Sequence, residues 1–103
     1  MSALSGFGLA FVFQFIEALS DGGVHGGLPR HLATKLASQT VLGAAKMLME
    51  TGRHPAELRD TVTSPGGVTI EGVRTAEKYG LRVATIEAVL ATQDKLSKMS
   101  LSN

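Results

Sequence analysis

At 103 residues, 44% of them hydrophobic and 18% charged, the chain has the size and composition of one small globular domain, which excludes a disordered segment. Ten Lys and Arg against nine Asp and Glu leave a formal net charge of +1 with no basic cluster, arguing against nucleic acid or an anionic membrane as the main partner. Cysteine is absent, so disulfides, thiolate chemistry, zinc ribbons and iron–sulfur clusters fall away together, in keeping with a reducing compartment.

The N-terminal run "ALSGFGLAFVFQFIEAL" is the most apolar stretch. No basic region precedes it, and Gln14 and Glu17 interrupt it, whereas a membrane span needs roughly 20 mostly apolar residues. It reads instead as a helix from about Gly8, buried nearly all round, with Gln14, Glu17 and Asp21 as a narrow polar stripe. So small a chain cannot easily cover such a helix, and a second copy is expected to help. Gly26 and Gly27 supply the stop, and Pro29 suits the first position of the next helix because its missing N–H costs nothing there.

That second helix, Pro29 to Thr51, carries a stripe of Ala33, Ala37, Val41, Ala44 and Leu48 flanked by Leu32 and Leu36. Its small residues, with Gly43 inside the helix, predict a close helix–helix approach, and Gly52 suits the residue just past its end. A short helix from Pro55 pairs Leu58 with Val62. A fourth begins between Pro65 and Val68, ends at Gly80, and turns Ile70, Val73 and Ala76 inward. The last runs from about Leu81 with Val83, Ile86 and Leu90 inward, becomes polar after Gln93, and frays in "SKMSLSN". No strand-like alternation and no repeat appear, so the fold class is all-α, a small domain of about five helices.

Most candidate chemistry fails on spacing. His25, His31 and His54 share no ligand spacing and read as surface histidines, so no metal site is expected. Glu17 and Asp21 lie one helical turn apart and could form an acid/base pair, though such a pair is more often a solvated edge. No Gly-x-Ser-x-Gly elbow occurs. The glycines at 6–8 and 22–27 follow no strand, so no dinucleotide fingerprint is formed.

What remains is "VTSPGGVTIEGVRTAEKYG", residues 62–80. Ser64 stands where an N-cap is wanted and Pro65 where a first helical residue is wanted. Gly66 and Gly67 leave the amides around them unobstructed, so first-turn N–H groups and the helix dipole would favour a carboxylate or phosphate. Thr63, Ser64 and Thr69 add hydroxyls that donate and accept. On turn chemistry alone the segment is more often a plain loop than an anion site.

The blocks "ALSGFG", "EALSDGGV", "GLPR", "QTVLGAAKML", "HPAELRD" and, most specific, "VTSPGGVTIEGV" resemble the C-terminal dimerisation domain of the pyrroline-5-carboxylate reductases, in that family's order and spacing from about Ala3 to Leu96. The resemblance implies an intertwined homodimer, a larger assembly of dimers staying open. It implies a part in reducing the C=N bond of 1-pyrroline-5-carboxylate to give L-proline, with hydride from NADPH or NADH bound on an N-terminal Rossmann domain. That domain is not found in residues 1–103, so the chain alone is expected to bind no cofactor and to be inactive. By motif match, Ser64, Gly66, Gly67 and Val68 would hold the substrate carboxylate through hydroxyl and amide donors, and Thr69 would act as the catalytic residue, its hydroxyl near the ring nitrogen. The expected location is cytoplasmic, with a mitochondrial one open, and the expected partners are a second copy and a small imino acid, with no nucleic acid and no membrane.

Some positions depart from that family. Phe7, Gly8, Leu9, Ala10 and Phe11 replace its Ser and Gly-Pro-Ala-Tyr, His25 and Gly26 stand where Lys and Met are common, and Ala76 where a larger apolar residue is usual. The alternative, of a different class, is a truncated, non-catalytic paralogue serving as a dimerisation or regulatory module. An unrelated helical binding module comes third.

Overall fold

The computed structural model describes residues 2–101, and these form five helices with no strand among the described residues: α1 Ala3–His25, α2 Arg30–Thr51, α3 Pro55–Thr61, α4 Val68–Lys78 and α5 Leu81–Leu101. The all-α expectation holds. The chain divides into two units, one spanning Phe11–Asp60 and the other made of the residues up to Ala10 together with those from Thr61 onward.

In the Phe11–Asp60 unit, α1 ends in a glycine-driven stop. Gly27 takes φ of 110°, its N–H donates to Val24 O at 3.0 Å, and the Leu28 N–H donates to Gly23 O at 3.0 Å. This paired arrangement satisfies the last carbonyls of the helix and turns the chain into α2. Pro29 is the N-cap rather than the first helical residue, and its carbonyl accepts from the Ala33 N–H at 2.9 Å. At the far end Gly52 adopts a left-handed φ of 65° and donates to Leu48 O, as expected.

The close approach expected of α2 occurs, but at a different glycine. A Cβ built on Gly23 would lie 3.2 Å from Ala33 Cβ and 3.3 Å from Leu28 Cδ1, so α1 meets α2 where Gly23 has no side chain. Gly43 faces open space. Along the stripe of α2, Ala33 and Ala37 are buried, Val41 and Leu48 are half-buried, and Ala44 is exposed. α3 stops at Thr61, so Val62 falls just beyond it and is 64% exposed.

The other unit contains the first residues of α1 with α4 and α5. α1 starts at Ala3, five residues before the sequence expectation, because Ser2 caps it: Ser2 Oγ accepts the Ser5 N–H at 3.2 Å, and Ser5 Oγ donates back to Ser2 O at 3.1 Å. α4 passes into α5 through Gly80, whose φ is 83° and whose carbonyl accepts the Ala84 N–H at 2.8 Å. α5 continues to Leu101 instead of fraying from Ser97, aided by an Asp94–Lys98 pair one turn apart at 3.0 Å. Ser102 and Asn103, the end of the tail expected to fray, lie outside the described residues.

Burial departs most from expectation. Among the described residues the buried apolar ones are Ala3, Ala33 and Ala37, while Val83, Ile86 and Leu90 of α5, expected inward, are 64%, 51% and 51% exposed in the single chain. Val73 and Ala76 of α4 are half-buried, but Ile70 is 40% exposed. α1 is not covered all round within one chain: Leu4, Leu9 and Phe13 are about two-thirds exposed, at 67%, 66% and 69%. By length and composition alone α1 is long and apolar enough to cross a membrane. The helices are therefore formed, but most of their apolar faces lack a cover within one chain.

Candidate functional site

The segment from Thr63 to Thr69 belongs to the unit containing α4. Its shape follows from Pro65 and Gly66. The Gly67 N–H donates to Ser64 O at 3.0 Å, closing a four-residue turn with Pro65 second and Gly66 third. Gly66 takes φ of 68°, the left-handed conformation that a type II turn requires of its third residue, with Pro65 suited to the second. α4 starts at Val68, within the expected range, but the roles expected of Ser64 and Pro65 are corrected. Ser64 is not the cap and Pro65 is not helical, because the turn takes both, and Gly67 becomes the N-cap with φ −82° and ψ 173°.

A glycine cap offers no side chain, and α4 has no side-chain cap hydrogen bond. The N–H groups of Val68, Thr69 and Ile70, first in the helix, have no carbonyl one turn back within it. α3 is finished differently: His54 O accepts from Glu57 and Leu58, and His54 Nδ1 accepts the Ala56 N–H at 3.1 Å. The start of α4 thus presents open donors and the positive end of a helix dipole. Glu71 in the first turn opposes an anion there, but it is paired with Arg74 at 3.4 Å.

The hydroxyls complete the picture. Within the helices, Thr40, Thr51, Thr75, Thr85 and Thr92 each donate to the carbonyl four residues back at 2.7–2.9 Å, which occupies them. Thr69 is too near the start of α4 to find such a helical carbonyl. Neither its hydroxyl nor that of Ser64 has a hydrogen-bond partner among the described residues, and both residues are exposed. Val68 is 90% exposed beside them. Ser64, Gly66, Gly67, Val68 and Thr69, matched above to the family's substrate loop, all lie within this one turn and helix start. The Gly67 amide is engaged by Ser64 O, so the unengaged helix amides here are those of Val68, Thr69 and Ile70.

A second polar cluster, in the Phe11–Asp60 unit, was not foreseen as a unit. Ser20, 2% exposed, shares a hydrogen bond of 2.9 Å with Thr34 Oγ1 and accepts from Arg30 Nη1 at 2.9 Å, while the same Nη1 donates to Asp21 Oδ1 at 2.7 Å. These groups lie along a groove of about 450 Å³ that Phe13, Ile16 and Glu17 also line. Asp21 is held by Arg30, so the acid/base pairing of Glu17 with Asp21 is not formed. The available signal was an acid at the end of one helix and Arg30 opening the next, across a glycine turn. His25, His31 and His54 are exposed, and no cluster fit for a metal occurs among the described residues.

Comparison with known proteins is consistent across sequence and structure. A family model described as pyrroline-5-carboxylate reductase dimerisation matches residues 1–99. A pyrroline-5-carboxylate reductase of Arabidopsis thaliana is 54% identical over 102 residues, covering 99% of this chain and 37% of the relative. One from Escherichia coli K12 is 52% identical over 99 residues, covering 96% and 37%. Among solved structures, a pyrroline-5-carboxylate reductase from Coxiella burnetii superposes with a TM-score of 0.89 at 41% identity, covering 93% of this chain and 36% of that one. A Plasmodium falciparum pyrroline carboxylate reductase with NADP bound gives 0.86 at 39% identity, covering 90% and 36%. The chain thus spans about 37% of the length of these curated relatives.

Proposed function

The chain belongs to the pyrroline-5-carboxylate reductase dimerisation family, and from that premise we propose that it is the dimerisation and substrate-binding part of an enzyme that reduces 1-pyrroline-5-carboxylate to L-proline. The observation that carries this reading is the start of α4, with no side-chain cap and with the unpartnered hydroxyls of Ser64 and Thr69 beside it.

The substrate is a cyclic imine bearing a carboxylate. In this reading the carboxylate sits at the N-terminus of α4, taking hydrogen bonds from the Val68 and Thr69 amides and the Ser64 hydroxyl. Gly66 shapes the turn, and Gly67 leaves the approach clear. The Thr69 hydroxyl orients the ring nitrogen and polarises the C=N bond, so that an incoming hydride meets an electrophilic carbon. NADPH or NADH supplies that hydride. No strand followed by a glycine-rich turn occurs among the described residues to cradle such a cofactor, so its binding is assigned to a part of the enzyme outside residues 1–103. What this chain contributes is position and orientation.

The same reading gives the uncovered apolar faces their partner, a second copy of the chain. Leu4, Leu9, Phe13, Val83, Ile86 and Leu90, each more than half exposed in the single chain, are the apolar side chains such a copy would cover. Gln14 and Glu17 midway along α1, both exposed, favour a protein cover over lipid.

The test joins a cofactor domain of the family to this chain and follows NADPH oxidation with 1-pyrroline-5-carboxylate. Turnover is expected, falling about a hundred- to a thousandfold in Thr69→Val as one polarising hydrogen bond is lost. A folded, dimeric fusion without turnover would overturn the proposal.

A further inference from the structure

Gly66 and Gly67 stand side by side, yet their backbones ask for glycine on different grounds. Gly66 has φ of 68°, where a side chain is strained whatever space surrounds it. Gly67 has φ −82° and ψ 173°, extended geometry open to any residue. Backbone conformation therefore does not explain why position 67 lacks a side chain. Its surroundings do. A Cβ built on Gly67 would collide with Ser64 Oγ, and would lie 3.3 Å from Ser64 O and 3.6 Å from Ser64 Cβ. The space a side chain would fill at position 67 is where the Ser64 hydroxyl sits.

We infer that Gly67 is a positioning residue for Ser64: by lacking a Cβ it lets the Ser64 hydroxyl stand beside the first turn of α4, on the side from which a carboxylate would be bound. The inference rests on the proposed substrate role of this turn and adds a coupling between two of its residues. The colliding atom is the tip of a short, rotatable side chain, and Ser64 O, at 3.3 Å, need give by only a few tenths of an ångström. An alanine at position 67 is thus accommodated by swinging Ser64 to another rotamer, with the turn and helix retained. The consequence is a misplaced hydroxyl in a folded protein.

Two readouts on the chain test it. Hα–Hβ scalar couplings report the Ser64 rotamer directly. One dominant rotamer is expected in the unsubstituted chain and a different one in Gly67→Ala, with helix content unchanged. Titration with L-proline, followed by amide chemical shifts, reports binding. Gly67→Ala and Ser64→Ala are each expected to weaken it about tenfold, the loss of one hydrogen bond to a charged group. Gly67→Ala/Ser64→Ala is expected to be no weaker than either single variant, because both act through one hydroxyl. An unchanged Ser64 rotamer in Gly67→Ala, or losses that multiply in the double variant, would overturn the coupling. Normal proline binding by Ser64→Ala would instead overturn the parent assignment of Ser64, and the rotamer result separates the two failures.

Discussion

The Arg30 guanidinium lies 2.7 Å from the Asp21 carboxylate across the turn between α1 and α2, and the same nitrogen reaches the buried Ser20 hydroxyl at 2.9 Å. Two helices are thus joined by one side chain serving an exposed charge and a covered hydroxyl. The two contacts should differ in weight. The ion pair is more than half exposed on both sides, so solvent screens it. Asp21→Asn should therefore cost less than about 1 kcal/mol of stability, and less still in high salt. Ser20→Ala removes the shared partner of Thr34 and Arg30 in a covered site and should cost about 1–2 kcal/mol. Urea denaturation of the two variants at low and high salt gives the ranking, and an equal, salt-sensitive loss in both would contradict it.

α3 has seven residues and is started by His54, whose Nδ1 accepts the Ala56 N–H. Replacing that acceptor by a methyl group should cost about 1 kcal/mol, and His54→Asn should recover most of it because an amide oxygen can take the same N–H. Hydrogen exchange of the α3 amides is the sensitive readout. Equal protection in His54→Ala and His54→Asn would show that the ring does not act as a cap.

Gly66→Ala and Gly67→Ala separate strain from space. The positive φ of Gly66 predicts a loss of about 1–2 kcal/mol on adding a Cβ, partly relieved in Gly66→Asn. Gly67→Ala should leave thermal stability nearly unchanged, its effect falling on Ser64. Melting temperatures of the three variants check this, and the reverse order would mean the turn is not the one described.

The apolar faces of α5 should be buried between chains. Val83→Glu with Leu90→Glu places charges on two residues exposed in the single chain, substitutions a monomer would tolerate. In a homodimer they are expected to abolish association. Sedimentation should show twice the chain mass for the unsubstituted protein, with a melting temperature that rises with concentration, and neither behaviour in the double variant. A concentration-independent monomer at the outset would remove the dimer from the proposal.

Much of this was legible in the residues, for local reasons. Helix stops at Gly27, Gly52 and Gly80 follow from positive φ values that glycine adopts freely, and they fall where the glycines were read as ends. The stripe of α2 is visible because a period of 3.6 residues brings Ala33 and Ala37 onto one side. The candidate site was legible for a similar reason, since Ser64 to Thr69 are contiguous and need no distant segment to bring them together.

What the sequence by itself determined, then, is the set of helices, their glycine ends and the residues gathered at the start of α4. Those depend on backbone geometry and bonds reaching a few residues along the chain. Only the tertiary structure decided between competing partners. Ser64 O takes the Gly67 N–H, which moves the cap of α4 from Ser64 to Gly67 and leaves the Ser64 hydroxyl unpartnered. Arg30 takes Asp21 and Ser20 together, where periodicity showed only a polar stripe. Gly23, not Gly43, is the glycine at the helix contact. The exposed faces of α1 and α5 have the same origin. A hydrophobic pattern states that a face must be covered, but what covers it depends on which surfaces meet in space, and one chain does not contain enough of them.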